Sequence, residues 1–115
     1  MKVLIAEDEH ITAILYKTII ERLGHEVVAL AHTSEEAISK TCELRPNVAF
    51  LDINMEHRTA GIEACKYIKE RCPEITVYFL TAYSKDTFEK ELENVPYDGY
   101  IDKWNFMSTV EELLK

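Results

Sequence analysis

Residues 47–52 read Asn-Val-Ala-Phe-Leu-Asp, an apolar run that stops abruptly on a carboxylate. A short, near-continuous apolar run suits a strand covered on both faces, as in a parallel sheet flanked by helices. Val48, Phe50 and Leu51 favour extended backbone. In an open α/β sheet, ligands bind beyond the carboxyl ends of the strands. Asp52 is therefore expected in a pocket and not in the core.

Val3-Leu4-Ile5-Ala6 repeats the pattern and ends on Glu7-Asp8, with Glu9 next. If the two strands are parallel neighbours, their acids meet on one rim. Carboxylates crowded there resist ionising together. A hard divalent cation relieves that conflict, and Mg²⁺ is commonly held by one or two carboxylates, waters and phosphate oxygens. The plainer alternative is that Glu7, Asp8 and Glu9 sit at a helix N-terminus, which favours acids. Two acid-ended strands in one short chain weigh towards a site.

Strands and helices alternate five times, and no Pro-, Gly- or Ser-rich linker divides the chain. The strands are expected at 2–6, 26–31, 47–52, 75–80 and 99–102. A first helix spans about 9–23, where Ile11, Ile14, Leu15, Ile19 and Leu23 recur near helical spacing and Gly24 stops it. Thr33 with Glu36 makes a capping-box pattern opening a second helix, whose inner residues are Ala37, Ile38, Thr41, Cys42 and Leu44. Pro46 prevents its continuation. A third helix, about 62–71, turns Ile62, Cys65 and Ile68 inward, with Cys72 close behind. A weaker fourth, about 85–94, carries Phe88 and Leu92. A fifth starts at Asn105, or at Ser108, where Ser108 and Glu111 form another capping-box pattern; it uses Val110, Leu113 and Leu114. This alternation implies right-handed crossovers and a doubly wound parallel sheet. The expected order is 2-1-3-4-5, the flavodoxin-like one, with five helices and one domain over residues 1–115. Strands 1 and 3 then flank the point where the winding reverses, bringing Glu7, Asp8 and Asp52 together.

The composition excludes several classes. A chain of 115 residues with 47% hydrophobic residues can bury a real core. Its formal net charge of −8 and lack of Lys/Arg runs argue against a nucleic-acid surface. Cys42, Cys65 and Cys72 have no metal-ligand spacing and suit apolar positions in a reducing compartment. No signal pattern or membrane-spanning run is present, so the reading is cytoplasmic with no membrane partner.

The strand ends supply Glu7, Asp8, Asp52, Thr81 and Lys103. Acids hold a metal, a further carboxylate attacks phosphorus, a hydroxyl donates to a phosphoryl oxygen and an ammonium neutralises charge. These are the parts of phosphoryl transfer, with the carboxylate becoming an acyl phosphate. Each has a plainer role: Thr81 closing a turn, Lys103 solvated, Tyr100 in the core.

The chain resembles the receiver domain of two-component response regulators over its whole length. The resemblance rests on Val3-Leu4-Ile5-Ala6-Glu7-Asp8-Glu9, Ala49-Phe50-Leu51-Asp52-Ile53-Asn54-Met55, Gly61-Ile62-Glu63, Leu80-Thr81-Ala82 and Gly99-Tyr100-Ile101-Asp102-Lys103. It implies that Asp52 accepts a phosphoryl group from a sensor histidine kinase or phosphotransfer protein. Glu7, Asp8, Asp52 and the Asn54 carbonyl would hold Mg²⁺ or Mn²⁺. Thr81 and Lys103 would contact the phosphoryl group, and Tyr100 would turn inward as Thr81 moves. The change would reach an output domain or protein partner through the face of the fourth helix, fifth strand and fifth helix, where a weak homodimer is an option. Asn54 and Tyr83 would tune hydrolysis.

Three departures stand out. The loop after Met55 lacks the usual proline and is one residue longer, with His57 and Arg58 expected in solvent and Arg58 free to attract phosphate. Ala60 replaces a frequent acid. Lys103 precedes Trp104, not a cis proline, so a trans bond, or a cis one held by indole packing, is expected, with Lys103 at risk of displacement. Trp104, a candidate modulator, is expected partly buried. Two rival readings are a receiver that binds partners without being phosphorylated, and an aspartate-nucleophile phosphatase. The latter would want an acid where Asn54 stands and a cap insertion for which there is no room.

Overall fold

The structure, a computed structural model, describes residues 1–114. Five strands, β1 (Lys2–Ala6), β2 (Glu26–Ala31), β3 (Val48–Leu51), β4 (Thr76–Thr81) and β5 (Gly99–Asp102), pair in parallel in the order β2-β1-β3-β4-β5. The helices are α1 (His10–Arg22), α2 (Ser34–Leu44), α3 (Ala60–Arg71) and α4 (Phe106–Leu113). The expected sheet and winding are thus observed.

Central β3 is buried at every residue, as its unbroken apolar run requires. The strand pleat sends alternate residues to opposite faces. Leu4, Ala6, Ala49 and Leu51 join a core with Ala37 of α2 and Ile62, Cys65 and Ile68 of α3. Val3, Ile5, Val48 and Phe50 join a second core with Tyr16 and Ile20 of α1 and Phe106 and Val110 of α4. Both faces of the sheet are therefore covered.

Local signals set the helix ends. The Thr33 hydroxyl accepts from Glu36 N at 3.2 Å, one arm of the capping box. The other arm slips by one residue, with Glu36 Oε1 accepting from His32 N at 3.0 Å. Gly24, at φ +91°, ends α1 in a conformation that costs glycine nothing. Arg45 ends α2 in the left-handed region just before Pro46.

Three expectations fail. First, the apolar pattern of α1 does not mark its buried face: Ile11, Ile14 and Leu15 are exposed, whereas Ala13, Tyr16 and Ile20 are buried. Second, residues 85–94 form no α-helix, so among the described residues there are four α-helices and not five. A 3-10 turn, Lys85–Phe88, leads into further turns. Their amide bonds mostly reach back three residues, as in Glu89 N to Asp86 O at 3.3 Å and Glu93 N to Lys90 O at 3.2 Å. The Thr87 carbonyl, which an α-helix would give to residue 91, accepts from Arg58 Nη2 at 3.2 Å. Glu89 and Glu93 would also repel across one helical turn. Phe88 and Leu92 are nonetheless buried, as their pattern implied. Third, of the two expected starts of the last helix Asn105 holds, as the residue before α4, and Ser108 does not. A 3-10 turn, Lys103–Asn105, runs into α4, and the Ser108 hydroxyl donates to Asn105 O at 3.2 Å.

Gly61 in the first turn of α3 sets the distance between that helix and β3. Its N–H donates to Ile53 O at 2.8 Å. A Cβ added there would collide with the Asp52 carbonyl oxygen and stand 2.8 Å from Ile53 Cα. Gly61→Ala should therefore cost about 1–3 kcal/mol through overpacking. This outweighs the gain of up to about 1 kcal/mol from alanine as the better helix former. Chemical denaturation would show it, and an unchanged midpoint would contradict the close approach.

Candidate functional site

Sheet register brings the acids together. Ala6 of β1 pairs with Leu51 of β3, and Asp52 N donates to Ala6 O at 2.9 Å. The next residues along each chain, Glu7 and Asp52, therefore emerge side by side at the carboxyl edge. Both are almost wholly buried, at 2% and 6% exposure. Asp8 stands at the rim, and one carboxylate oxygen from each of the three lies within 4.8 Å of the others.

Lys103 reaches this cluster from the end of β5, across the width of β4. Its ammonium donates to Glu7 Oε1 at 2.6 Å and to Asp52 Oδ2 at 2.9 Å. Burial pulls its pKa down, but the Glu7 hydrogen bond and the Asp52 charge more than offset this and raise it above the ordinary lysine value. The feared displacement does not occur. Among the described residues every peptide bond is trans, including Lys103–Trp104. The Asp102 carboxylate accepts from Trp104 N at 2.9 Å and so caps the turn that carries Lys103. Trp104 is 85% exposed, not buried. The trans turn ends with its indole outside the α1–α4 packing that buries Phe106 instead.

Three carboxylates face one ammonium, so negative charge is in surplus. Burial, a hydrogen bond that the protonated Asp8 carboxyl can donate to Glu7, and the Glu7 charge raise the Asp8 pKa, opposed by its own main chain and by Lys103. An all-oxygen set with excess negative charge fits a hard divalent cation.

The remaining expected residues lie around this notch. Thr81 is fully buried at the end of β4, where its hydroxyl accepts from Tyr83 N at 3.3 Å. The turn-closing role is thus real. Asn54 Nδ2 lies 3.5 Å from the Tyr83 hydroxyl. Tyr100 packs edge-on against Phe79 and donates from its hydroxyl to Tyr83 O at 2.8 Å. Burial and the Asp102 charge push its pKa up to about 12.

The loop at 53–59 is better anchored than its sequence suggests. Glu56 accepts from Ser34 N at 2.9 Å and from the Ser34 hydroxyl, closing the N-terminus of α2. Arg58, expected in solvent, donates to Glu91 Oε2 at 2.6 Å and to Thr87 O, and its guanidinium lies 4.8 Å from the centre of the Phe88 ring. His10 and His32, not singled out from sequence, stack at 3.8 Å, and His32 Nδ1 lies 2.8 Å from Glu7 O.

The sequence profile described as the response regulator receiver domain matches residues 3–115. The protein-glutamate methylesterase/protein-glutamine glutaminase of Archaeoglobus fulgidus is 34% identical over 93 residues, 81% of this chain and 26% of that protein. Response regulator GacA of Pseudomonas syringae pv. syringae is 32% identical over 108 residues, 90% of this chain and 48% of that protein. The chain thus spans half or less of the length of these two relatives. The response regulator domain of Thermotoga maritima CheB superposes with a TM-score of 0.78 at 27% identity, over 99% of this chain and 90% of that one. A LuxR-family DNA-binding response regulator from Staphylococcus aureus shares the fold at a TM-score of 0.87 and 24% identity, over 98% and 94% of the two chains. With the profile match running almost from end to end, the chain belongs to the receiver domain family of two-component response regulators.

Proposed function

We propose that Asp52 is the phosphoryl acceptor, in a reaction that needs Mg²⁺ or Mn²⁺ bound by Glu7, Asp8, Asp52 and the Asn54 carbonyl. The observation that carries the reading is the position of Lys103 between Glu7 and Asp52. One Asp52 oxygen is held by that ammonium, while among the described residues no donor reaches Oδ1. Attack by Oδ1 on a phosphohistidine forms the P–O bond as the P–N bond breaks, and the imidazole nitrogen leaves with the electron pair. A divalent cation held by Glu7, Asp8, Asp52 and the Asn54 carbonyl would supply positive charge to offset that of the phosphoryl oxygens. Lys103 neutralises charge on the same group, and the Thr81 hydroxyl donates its hydrogen to it, which accepting from Tyr83 N leaves free. Tyr100 follows Thr81, because its hydroxyl is tied to the main chain at Tyr83.

The donor is a sensor histidine kinase or a phosphotransfer protein of the cytoplasm. The chain promotes its own phosphorylation and dephosphorylation, and Asn54, Tyr83 and Trp104 modulate the rates. Output passes to a protein partner or an attached domain through the 85–95 segment, β5 and α4, and not through nucleic-acid binding by these residues. Among the described residues no helix is long and apolar enough to cross a membrane. A weak homodimer through the same face is compatible with this reading.

Incubation with acetyl phosphate and Mg²⁺ should add one phosphoryl group, seen as a mass shift. Asp52→Asn should take no label and keep the fold by circular dichroism. Label persisting on another residue would remove Asp52 from its role, and an unlabelled wild type would favour a receiver that binds partners unmodified.

Asp8→Asn removes one member of a mutually repelling cluster. Without metal it should melt at a higher temperature than wild type at neutral pH. The rise in melting temperature that Mg²⁺ gives the wild type should be lost. A variant still stabilised by Mg²⁺ to the wild-type extent would place the cation elsewhere.

A further inference from the structure

Arg58 makes more contacts than its place in an exposed loop requires. Its guanidinium binds the Glu91 carboxylate and the Thr87 carbonyl and covers the Phe88 ring. Phe88 is buried and meets the Tyr83 ring edge-on at 5.7 Å between centroids. The Tyr83 hydroxyl in turn lies 3.5 Å from Asn54, two residues beyond Asp52. A continuous chain of contacts therefore runs from Arg58 through Phe88 to Tyr83 and back to the loop that carries Arg58. Tyr83 is 44% exposed, with its ring against Phe88 and its hydroxyl near Asn54.

We infer that Arg58 is a positioning residue that keeps Tyr83 across the mouth of the Asp52 site and so lengthens the life of the phosphorylated state. This rests on Asp52 being the acceptor. Loss of the phosphoryl group needs a water oxygen to form a bond to phosphorus as the P–O bond to Asp52 breaks. The carboxylate leaves with the electron pair and the water proton passes to solvent. A ring over the mouth limits that approach. Arg58 touches neither the acceptor nor the metal ligands, so its effect falls on the lifetime and not on the chemistry of labelling.

The restraint is double-ended. Turns without a regular helix ladder hold residues 85–94. Arg58 substitutes for part of that missing ladder by taking the Thr87 carbonyl. Removing it loosens the segment that carries Phe88, and the Tyr83 ring with it. Arg58→Lys keeps a cation near the ring but loses the planar fork that serves Glu91 and Thr87 at once.

The full chain is labelled with acetyl phosphate and Mg²⁺, freed of donor, and its loss of phosphate followed by mass spectrometry. Arg58→Ala should shorten the lifetime about two- to fivefold, the range of one cation–π contact expressed as a rate. Its initial labelling rate should stay that of the wild type. Arg58→Lys should fall between the two. In a Tyr83→Ala background, Arg58→Ala should have no further effect, because the group it positions is gone. An unchanged or longer lifetime in Arg58→Ala, or effects that multiply in the double variant, would overturn the inference alone. A wild type that takes no label would overturn the acceptor assignment and this inference together.

Discussion

The ammonium of Lys103 between Glu7 and Asp52 is the interaction on which the arrangement depends. Two nearly buried carboxylates from neighbouring strands repel each other and lose hydration, and a cation between them offsets both costs. Lys103 provides one, and it ties the ends of β1, β3 and β5 to a single point. Its charge does not suffice, since Asp8 makes a third acid, whose pKa is raised first by burial and then by Glu7. The notch is left electrostatically incomplete. Such incompleteness lowers stability and prepares a site for a divalent cation and for a group that brings its own negative charge. A phosphoryl group carries about −1.5 to −2 charges at neutral pH. Its arrival would draw Lys103 from a carboxylate pair to a stronger partner, which is how a local charge change biases a larger rearrangement.

What could be read from the sequence follows from how directly each residue reports its surroundings. The run 47–52 has one comfortable location, a strand covered on both faces, and it was legible to within a residue. Parallel pairing then placed Glu7 beside Asp52 with little freedom, because their partners Ala6 and Leu51 are in register. The periodicity of α1 misled because it reports spacing and not direction. Ile11, Ile14 and Leu15 form an apolar stripe, yet the helix docks through Ala13, Tyr16 and Ile20. The small alanine lets the helix approach the sheet, and that is a matter of packing distance that hydrophobicity does not encode.

The absent fourth helix has a related cause. Phe88 and Leu92 have helical spacing and are buried, so the apolar signal was sound. The local ladder instead competes with a long-range donor, Arg58, thirty residues earlier in the chain. Propensity arguments weigh neighbours and cannot see such a competitor. The same contact makes the loop after Asp52 and the segment after β4 one mechanical unit. Loosely hydrogen-bonded segments are the ones that rearrange at low cost. Arg58 straps this one to the loop that follows Asp52.

Trp104 shows how a departure from the family pattern can be absorbed. Replacing proline restores a main-chain N–H that must find an acceptor. Asp102 supplies it at 2.9 Å, and the capped turn leads into α4 through a trans bond. The aim of Lys103 is therefore set by two carboxylates in front and a capped turn behind, and the proline ring is dispensable. The indole, freed from any packing duty, is left in solvent.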